Sequence, residues 1–156
     1  MESERVHTHT TYNRCKTYFA IEGDFDPEEI SSVLQLVPFE YHKKGEKKII
    51  AKGNYSKSLW SYGLCDDYDF ETSIMMSETL EGLWDKKEEL IKIRHSHSDV
   101  VFLLMVVPVI RFDESTPTLA PTMAIMKWCV DTGTEIVYDL SVSSPDDLKG
   151  PKFNLG

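Results

Sequence analysis

The sequence predicts an α+β domain in which a mostly antiparallel sheet carries its helices on one face. Segments with strand-type alternation are separated by segments with helical spacing, in the order β-α-β-β-α-β-α-β. The first six elements match the split β-α-β arrangement, so we expect a ferredoxin-like variant. A length of 156 residues with 41% hydrophobic and 28% charged content suits one domain with a sizeable core.

The first strand and helix are the most clearly specified part of the chain. Residues 15–22 alternate in polarity as a strand does. Asp26 is a typical N-cap, Pro27 stands at the first helical position, and Glu29 suits a capping box. Pro38 then ends the helix. The apolar residues at helical spacing are expected to face the core: Ile30, Val33, Leu34 and Val37.

Two strands and a long helix follow in the middle of the chain. The strands are predicted at residues 39–42 and 59–64, separated by a lysine-rich turn at Gly45. An acidic loop from residue 65 to 71 leads into one helix over residues 73–94. The residues expected on the inner face of that helix are Met76, Leu80, Leu83, Trp84, Leu90 and Ile91.

The last third predicts a central strand, a helix and a final strand. Residues 100–107 are apolar without alternation, which is typical of a strand covered on both faces. After a loop at 110–117, a helix is predicted over 119–130, with Gly133 as its stop. A strand over 134–142 follows. The helix residues expected inward are Met123, Met126 and Val130.

These elements divide the chain into a domain and two short ends. We expect an N-terminal extension or edge strand at 1–14, one domain at 15–142 and an irregular tail at 143–156. The longest apolar run, 100–110, has 11 residues, whereas a membrane-spanning helix needs about 20. The polar N-terminus has no secretory pattern, so a cytoplasmic location is expected.

The same elements carry a family resemblance. The segment from Tyr18 to Ile30, the turn at 44–47, the Leu59-Trp60-Ser61-Tyr62 strand and the segment at 133–142 resemble the bacterial "domain of unknown function 4279" (DUF4279) family. The resemblance extends over about residues 15–142, and its most specific part is the Gly-Asp-Phe-Asp-Pro junction combined with the later Trp-Ser. It implies a fold and a small bacterial cytoplasmic protein, and it brings no catalytic residues.

The net charge of the chain indicates which class of partner it could bind. The formal charge of −9 argues against nucleic acid, whose binders usually present a basic face. The only basic cluster is formed by Lys43, Lys44, Lys47, Lys48, Lys52 and Lys57. An acidic surface is compatible with a basic protein partner, whose approach it would accelerate. The sequence leaves the oligomeric state open.

The binding candidates are four carboxylates in the predicted acidic loop: Asp66, Asp67, Asp69 and Glu71. Their spacing lacks the glycine and glutamate of an EF-hand, so a solvated acidic loop is favoured over a calcium site. Since no structural role is evident for them, they are the predicted docking patch for a basic partner.

No catalytic or cofactor site is predicted. His95 and His97 stand at alternate positions and are weak candidates for a metal site, as are His7 and His9, but solvated histidines explain both pairs better. Asp24 and Asp26 could form a catalytic carboxylate pair, but the helix cap explains Asp26 and the turn explains Asp24. Three widely spaced cysteines favour free, buried thiols over a disulfide framework or a zinc site. We therefore expect a non-enzymatic protein-binding module, of immunity or regulator type. The alternative is a ligand-binding or enzymatic domain with a pocket between sheet and helices.

Overall fold

A computed structural model describes residues 13–111 and 113–143. Within these residues it contains a sheet of six strands and four helices. The elements in chain order are β1 Arg14–Gly23, α1 Pro27–Leu34, β2 Glu40–His42, β3 Ser58–Tyr68, α2 Thr72–Thr79, α3 Lys87–Ser96, β4 Val101–Arg111, α4 Met123–Thr132, β5 Thr134–Tyr138 and β6 Ser141–Ser143. The predicted α+β class is confirmed, with one helix and one strand more than the sequence indicated.

The strands form one mixed sheet in the order β2-β3-β1-β4-β5, and β6 pairs with the far end of β4. The pairs β2–β3, β3–β1 and β1–β4 are antiparallel, whereas β4 is parallel to β5 and β6. The parallel pair follows from the α4 connection, since parallel neighbours need a crossover. Strands β1 and β4 therefore lie in the middle of the sheet.

The prediction of one long helix over residues 73–94 is wrong, because two helices, α2 and α3, occupy this region with a turn segment between them. Successive i→i+3 hydrogen bonds join Leu83 to Leu80 and Lys86 to Leu83. A Cβ at Gly82 would overlap the Tyr62 hydroxyl, so the turn segment packs directly against the end of that side chain. In α3, Ile93 is buried, whereas Ile91, which was expected inward, is 37% exposed.

The inner faces of two other helices also differ from the prediction. Helix α1 ends at Leu34, before Pro38, because Gln35 adopts a left-handed conformation. Val33 and Val37, which were expected inward, are both exposed, and Val37 lies beyond the helix. Helix α4 begins at Met123, where the Thr122 hydroxyl accepts a hydrogen bond from the Ile125 N–H. Its buried residues are Ile125, Trp128, Cys129 and Thr132. The residues expected inward, Met123, Met126 and Val130, are exposed.

The core lies between the sheet and the helices. Phe19 of β1 contacts Phe102 and Trp128, each at 5.9 Å between ring centroids. Trp60 of β3 is fully buried, and its indole N–H donates to the Ser31 hydroxyl of α1 at 2.9 Å. All four helices contribute to this one layer. The prediction that helices cover a single face of the sheet is confirmed, and the other face has no helix among the described residues.

The helix cap predicted at Asp26 is present. Asp26 Oδ1 accepts a hydrogen bond from the Glu28 N–H at 3.0 Å. The Glu29 carboxylate lies 3.7 Å from the His97 ring.

We expect Asp26→Ala to lower the free energy of unfolding by about 1 kcal/mol through loss of the cap. Thermal melts should show a lower midpoint with unchanged secondary structure. Asp26→Asn keeps a capping oxygen and is the control; an alanine variant as stable as this control would contradict the cap.

Parts of the predicted domain scheme lie outside the described residues, namely 1–12 and 144–156. Within the description, Arg14 already belongs to β1 and Ser143 to β6. The predicted strand over 134–142 is divided into β5 and β6. Of the helices described, none is long and apolar enough to cross a membrane.

Candidate functional site

The face of the sheet opposite the helices carries apolar side chains that the core does not use. In β4, burial alternates along the whole strand: Phe102, Leu104 and Val106 are buried under the helices. Their neighbours Leu103 and Met105 are half-buried on the opposite face. The prediction of a strand covered on both faces is therefore wrong for β4. Its apolar outer face is available for contact.

The neighbouring strands complete a groove on this face. The register sets Ala20 beside Leu103 on one side and Ser61 on the other, and Tyr18 beside Met105. We call this cavity the open-face groove; its volume is about 410 Å³. It is lined by Tyr18, Ala20, Glu22, Glu40, Leu59, Ser61, Leu103, Met105 and Val137. The volume lies in the range of ligand sites, which is about 300–1,000 Å³.

One polar atom lining the groove is unsatisfied. Ser61 is 1% exposed, and its Oγ has no hydrogen-bond partner within the described residues. A buried hydroxyl usually finds a partner, because leaving it without one costs about 1–3 kcal/mol. Ser61 faces the open side because it pairs with Glu40 and Ala20 in the sheet. The wall of the groove therefore contains one hydrogen-bonding group without a partner, whose Oγ is closed off from the surface.

Three carboxylates lie near enough to Tyr18 to act on its hydroxyl. The pKa of Tyr18 is raised from its ordinary value, first by burial and then by the negative charges of Glu40, Asp139 and Glu22. These three carboxylates come from β2, the β5–β6 connection and β1, and they converge only in the folded sheet. The potential that disfavours a phenolate favours a cation. The groove thus combines an apolar floor with a negative rim.

The described residues show no activated nucleophile. Burial raises the pKa of the Cys15 and Cys129 thiols to about 11, so both are protonated at neutral pH. All three cysteines are free, as predicted. Asp24 accepts a hydrogen bond from Lys44 at 3.2 Å, and its N–H bonds to Asp99, so it has partners of its own.

The predicted acidic patch is distributed differently from the expectation. Asp66 and Asp67 belong to β3, not to a loop. Arg14 donates a hydrogen bond to Asp66 at 2.8 Å, which lowers the pKa of that carboxyl, and Asp67 accepts from the Tyr68 N–H. Asp69 has a left-handed backbone, and Glu71 occupies the N-cap position of α2. At least two of the four therefore have structural partners.

The histidine candidates lie at the end of α3. His95 is exposed in the last turn, and His97 follows the helix with its ring 6.5 Å from that of Phe25. Glu29 is the acidic neighbour of His97. Among the described residues, no group of three or more potential ligands could hold a metal ion. His7 and His9 lie outside the description.

A second cavity of about 460 Å³ lies between α1 and the edge strand β2. This is where the structure places a space between helix and sheet, as the alternative hypothesis expected. Its lining residues are Pro27, Glu28, Ser31, Ser32, Gln35, Leu36, Val37, Pro38 and Tyr41. It carries one carboxylate, Glu28, and no buried polar atom without a partner. The open-face groove is therefore the stronger candidate.

Sequence reasoning missed the open-face groove, although a signal for it was present. An apolar run from Val101 to Ile110 holds more apolar side chains than one covered face requires. Such a run suits either a strand covered twice or a strand with one face left for a partner. The carboxylates Glu22 and Glu40 could not be assigned to it, because their positions depend on strand pairing that local patterns do not give.

One family model matches all of the described part of the chain. The family model described as a domain of unknown function (DUF4279) matches residues 13–143. No curated protein and no solved structure matches the sequence. The match covers every strand and helix described above, from Arg14 to Ser143. The chain therefore belongs to the DUF4279 family.

Proposed function

We propose that this protein is a non-enzymatic binding module of the bacterial cytoplasm whose open-face groove receives a basic segment of a partner protein. A role in neutralising or regulating that partner, as an immunity protein does, is one instance. The observation that carries the proposal is the apolar floor of the groove under a rim of convergent carboxylates. Lysine and arginine match such a surface, since their stems are apolar and their heads are cationic.

The position of the groove supports protein binding as well. It lies on the outer face of the central strands β1 and β4 and reaches the edge strand β2 through Glu40. A partner segment laid across it would cover side chains of five strands. Neighbouring apolar residues, Val101 at 37% exposure and the half-buried Val107 and Val109, extend the surface along β4. This extended shape suits a peptide segment better than a compact molecule.

The second candidate function is binding of a small molecule in the same groove. The observation favouring it is the buried Ser61 hydroxyl without a partner, since convergent polar groups in an apolar cavity are typical of ligand sites. The chemistry of the rim selects for a cationic ligand, such as an organic amine. Native mass spectrometry of freshly purified protein distinguishes the two, because a retained small molecule adds mass and is released on unfolding.

Binding by the groove can be tested with a short synthetic peptide of alternating lysine and leucine. Titrated into ¹⁵N-labelled protein, it should shift the amide signals of Tyr18, Ser61 and Met105. The same peptide with glutamate in place of lysine should not. The variant Glu22→Gln/Glu40→Gln should reduce the affinity for the lysine peptide about tenfold or more, since a close charge pair in an interface contributes about 1.5 kcal/mol or more.

Two further variants locate the binding surface. Glu81→Gln/Glu88→Gln removes the same charge from exposed positions outside the groove and is the matched control. Changing Asp66, Asp67, Asp69 and Glu71 to their amides tests the patch predicted from sequence. If the amide variant weakens binding and the groove variant does not, the binding site is the acidic patch and not the groove. Equal effects of all three variants would show only a general dependence on charge.

Association should also depend on ionic strength. The Debye length falls from about 30 Å at 0.01 M to about 10 Å at 0.1 M salt, so long-range attraction between the acidic rim and a basic partner is screened over this range. We expect the on-rate for the lysine peptide, or for a partner found by co-purification, to fall several-fold across it. Stopped-flow kinetics measure this directly. An on-rate indifferent to salt would contradict electrostatic capture and favour an apolar, pocket-based function.

A further inference from the structure

The connection between β2 and β3 forms an ordered projecting arm. We call residues 43–57 the lysine arm. Backbone hydrogen bonds join its two sides: the Gly45 N–H donates to the Tyr55 carbonyl at 2.8 Å, and the Tyr55 N–H donates to the Glu46 carbonyl at 2.9 Å. A third bond joins Lys48 to Gly53 at 3.1 Å. The Tyr55 ring stacks on His42, with 3.5 Å between centroids, which fixes the base of the arm against β2.

The tip of the lysine arm exposes two aliphatic side chains. Ile49 is 94% exposed and Ile50 is 100% exposed. No atom lies within 4 Å of a Cβ placed at Gly45 or Gly53, so the chain faces open space at both positions. Nearer the sheet, Lys48 and Lys57 line a cavity together with Glu22 of the same chain. Isolated exposed apolar residues are common on surfaces, but two adjacent and fully exposed isoleucines at an ordered tip form a distinct apolar contact point.

The charge of the arm is opposite to that of the remaining chain. Residues 43–57 contain six lysines and one glutamate, a formal charge of +5. Since the whole chain carries −9, the remainder carries −14. Of the six lysines in the arm, only Lys44 has an ion-pair partner within the described residues, namely Asp24 at 3.2 Å. The arm is thus a basic, apolar-tipped segment on an otherwise acidic protein.

We infer that the lysine arm of one copy of this chain occupies the open-face groove of a second copy. This inference rests on the proposed function, because it identifies the basic segment that the groove receives. Charge complementarity carries it: the arm supplies lysines and two isoleucines, and the groove supplies a carboxylate rim over an apolar floor. The arm does not occupy its own groove, since Ile49 and Ile50 remain exposed.

In this arrangement each copy supplies a lysine arm and also receives the arm of another copy in its groove. Seating the tip would bring Ile49 and Ile50 onto Leu103, Met105 and Val137, where apolar surface is removed from water on both sides. The flanking lysines would then lie at the rim formed by Glu22 and Glu40. If two copies exchange arms, the result is a closed dimer. If each copy instead places its arm in the groove of a third, further copies add to a chain or ring.

Sedimentation of the full chain from about 1 µM to 1 mM tests the inference, since this range spans the Kd of weak protein pairs. Wild type should self-associate, more weakly at high salt. Ile49→Ser/Ile50→Ser and Glu22→Gln/Glu40→Gln should each raise the Kd about tenfold or more. A mixture of the two variants should associate better than either alone, because one supplies an intact arm and the other an intact groove.

The control is Met123→Ser/Val130→Ser, which removes two comparably exposed apolar side chains from α4 and should leave the Kd unchanged. A wild type that stays monomeric throughout overturns the inference, as does loss of association in all variants alike. If the monomer instead binds vesicles containing phosphatidylserine through Ile49 and Ile50, the arm is a membrane contact. Binding of the lysine peptide to a monomeric protein would leave the proposed function standing while this inference fails.

Discussion

Replacing Gly63 with alanine is expected to lower the free energy of unfolding by about 3 kcal/mol, through two effects at one position. Gly63 has φ +74°, a left-handed conformation in which a Cβ costs about 1–2 kcal/mol. A Cβ there would also overlap the carbonyl oxygen of Thr79 and lie 3.0 Å from its carbon. Because those atoms belong to the backbone, α2 has to shift, which adds about 1–3 kcal/mol.

The environment of Gly63 explains why this position does not accept a side chain. Gly63 and Leu64 of β3 together oppose Tyr18 of β1, which forms a β-bulge in the sheet. The Gly63 carbonyl accepts a hydrogen bond from Thr79 Oγ1 at 2.7 Å, and that hydroxyl lies 2.7 Å from the Thr17 hydroxyl. The bulge therefore joins β1, β3 and the end of α2 through a buried polar cluster. Displacing α2 would strain these contacts as well.

Gly53→Ala is the matched control for this prediction. Gly53 has φ +93°, but no atom lies within 4 Å of its Cβ position, so it experiences backbone strain without overlap. We expect a loss of about 1 kcal/mol there. Denaturant unfolding of both variants separates the two contributions. Equal losses would mean that backbone conformation alone determines the cost at Gly63, and that α2 is not held against the bulge.

Elements with strong local signals could be predicted from the sequence. The junction at residues 23–27 specifies a strand end, an N-cap and a helix start through side-chain chemistry within a few residues. The alternation of β1 likewise defines its inner face, since Cys15, Thr17 and Phe19 are all fully buried. In these segments local preference and tertiary structure agree.

The features that could not be predicted from the sequence arise from contacts between residues that are far apart in the chain. The break between α2 and α3 lies where the chain passes the Tyr62 hydroxyl at Gly82, although the residues around the break keep helical spacing. The carboxylates that raise the pKa of Tyr18, namely Glu22, Glu40 and Asp139, come near that residue only after strand pairing. The exposed isoleucines of the lysine arm were visible in the sequence, but their exposure was not.

The orientation of α4 gives the sharpest contrast between sequence pattern and structure. Trp128→Ala is expected to lower the free energy of unfolding by about 4 kcal/mol, as for other large aromatic truncations in cores. Trp128 is 1% exposed and contacts Phe19 at 5.9 Å and Trp84 at 6.0 Å between ring centroids. Its loss would leave a cavity between β1 and the turn segment that follows α2.

The same helix supplies the control, because the apolar stripe favoured by spacing alone lies on its exposed side. Met123 is 83% exposed and Val130 is 79% exposed, so alanine at either position should change stability by less than about 0.5 kcal/mol. Chemical denaturation with near-UV circular dichroism measures both stability and aromatic packing. A large loss for Met123→Ala with little for Trp128→Ala would mean that α4 is rotated, and that the stripe of Met123, Met126 and Val130 faces the core after all. The expected result instead assigns the core of this helix to the one aromatic that the spacing argument omitted.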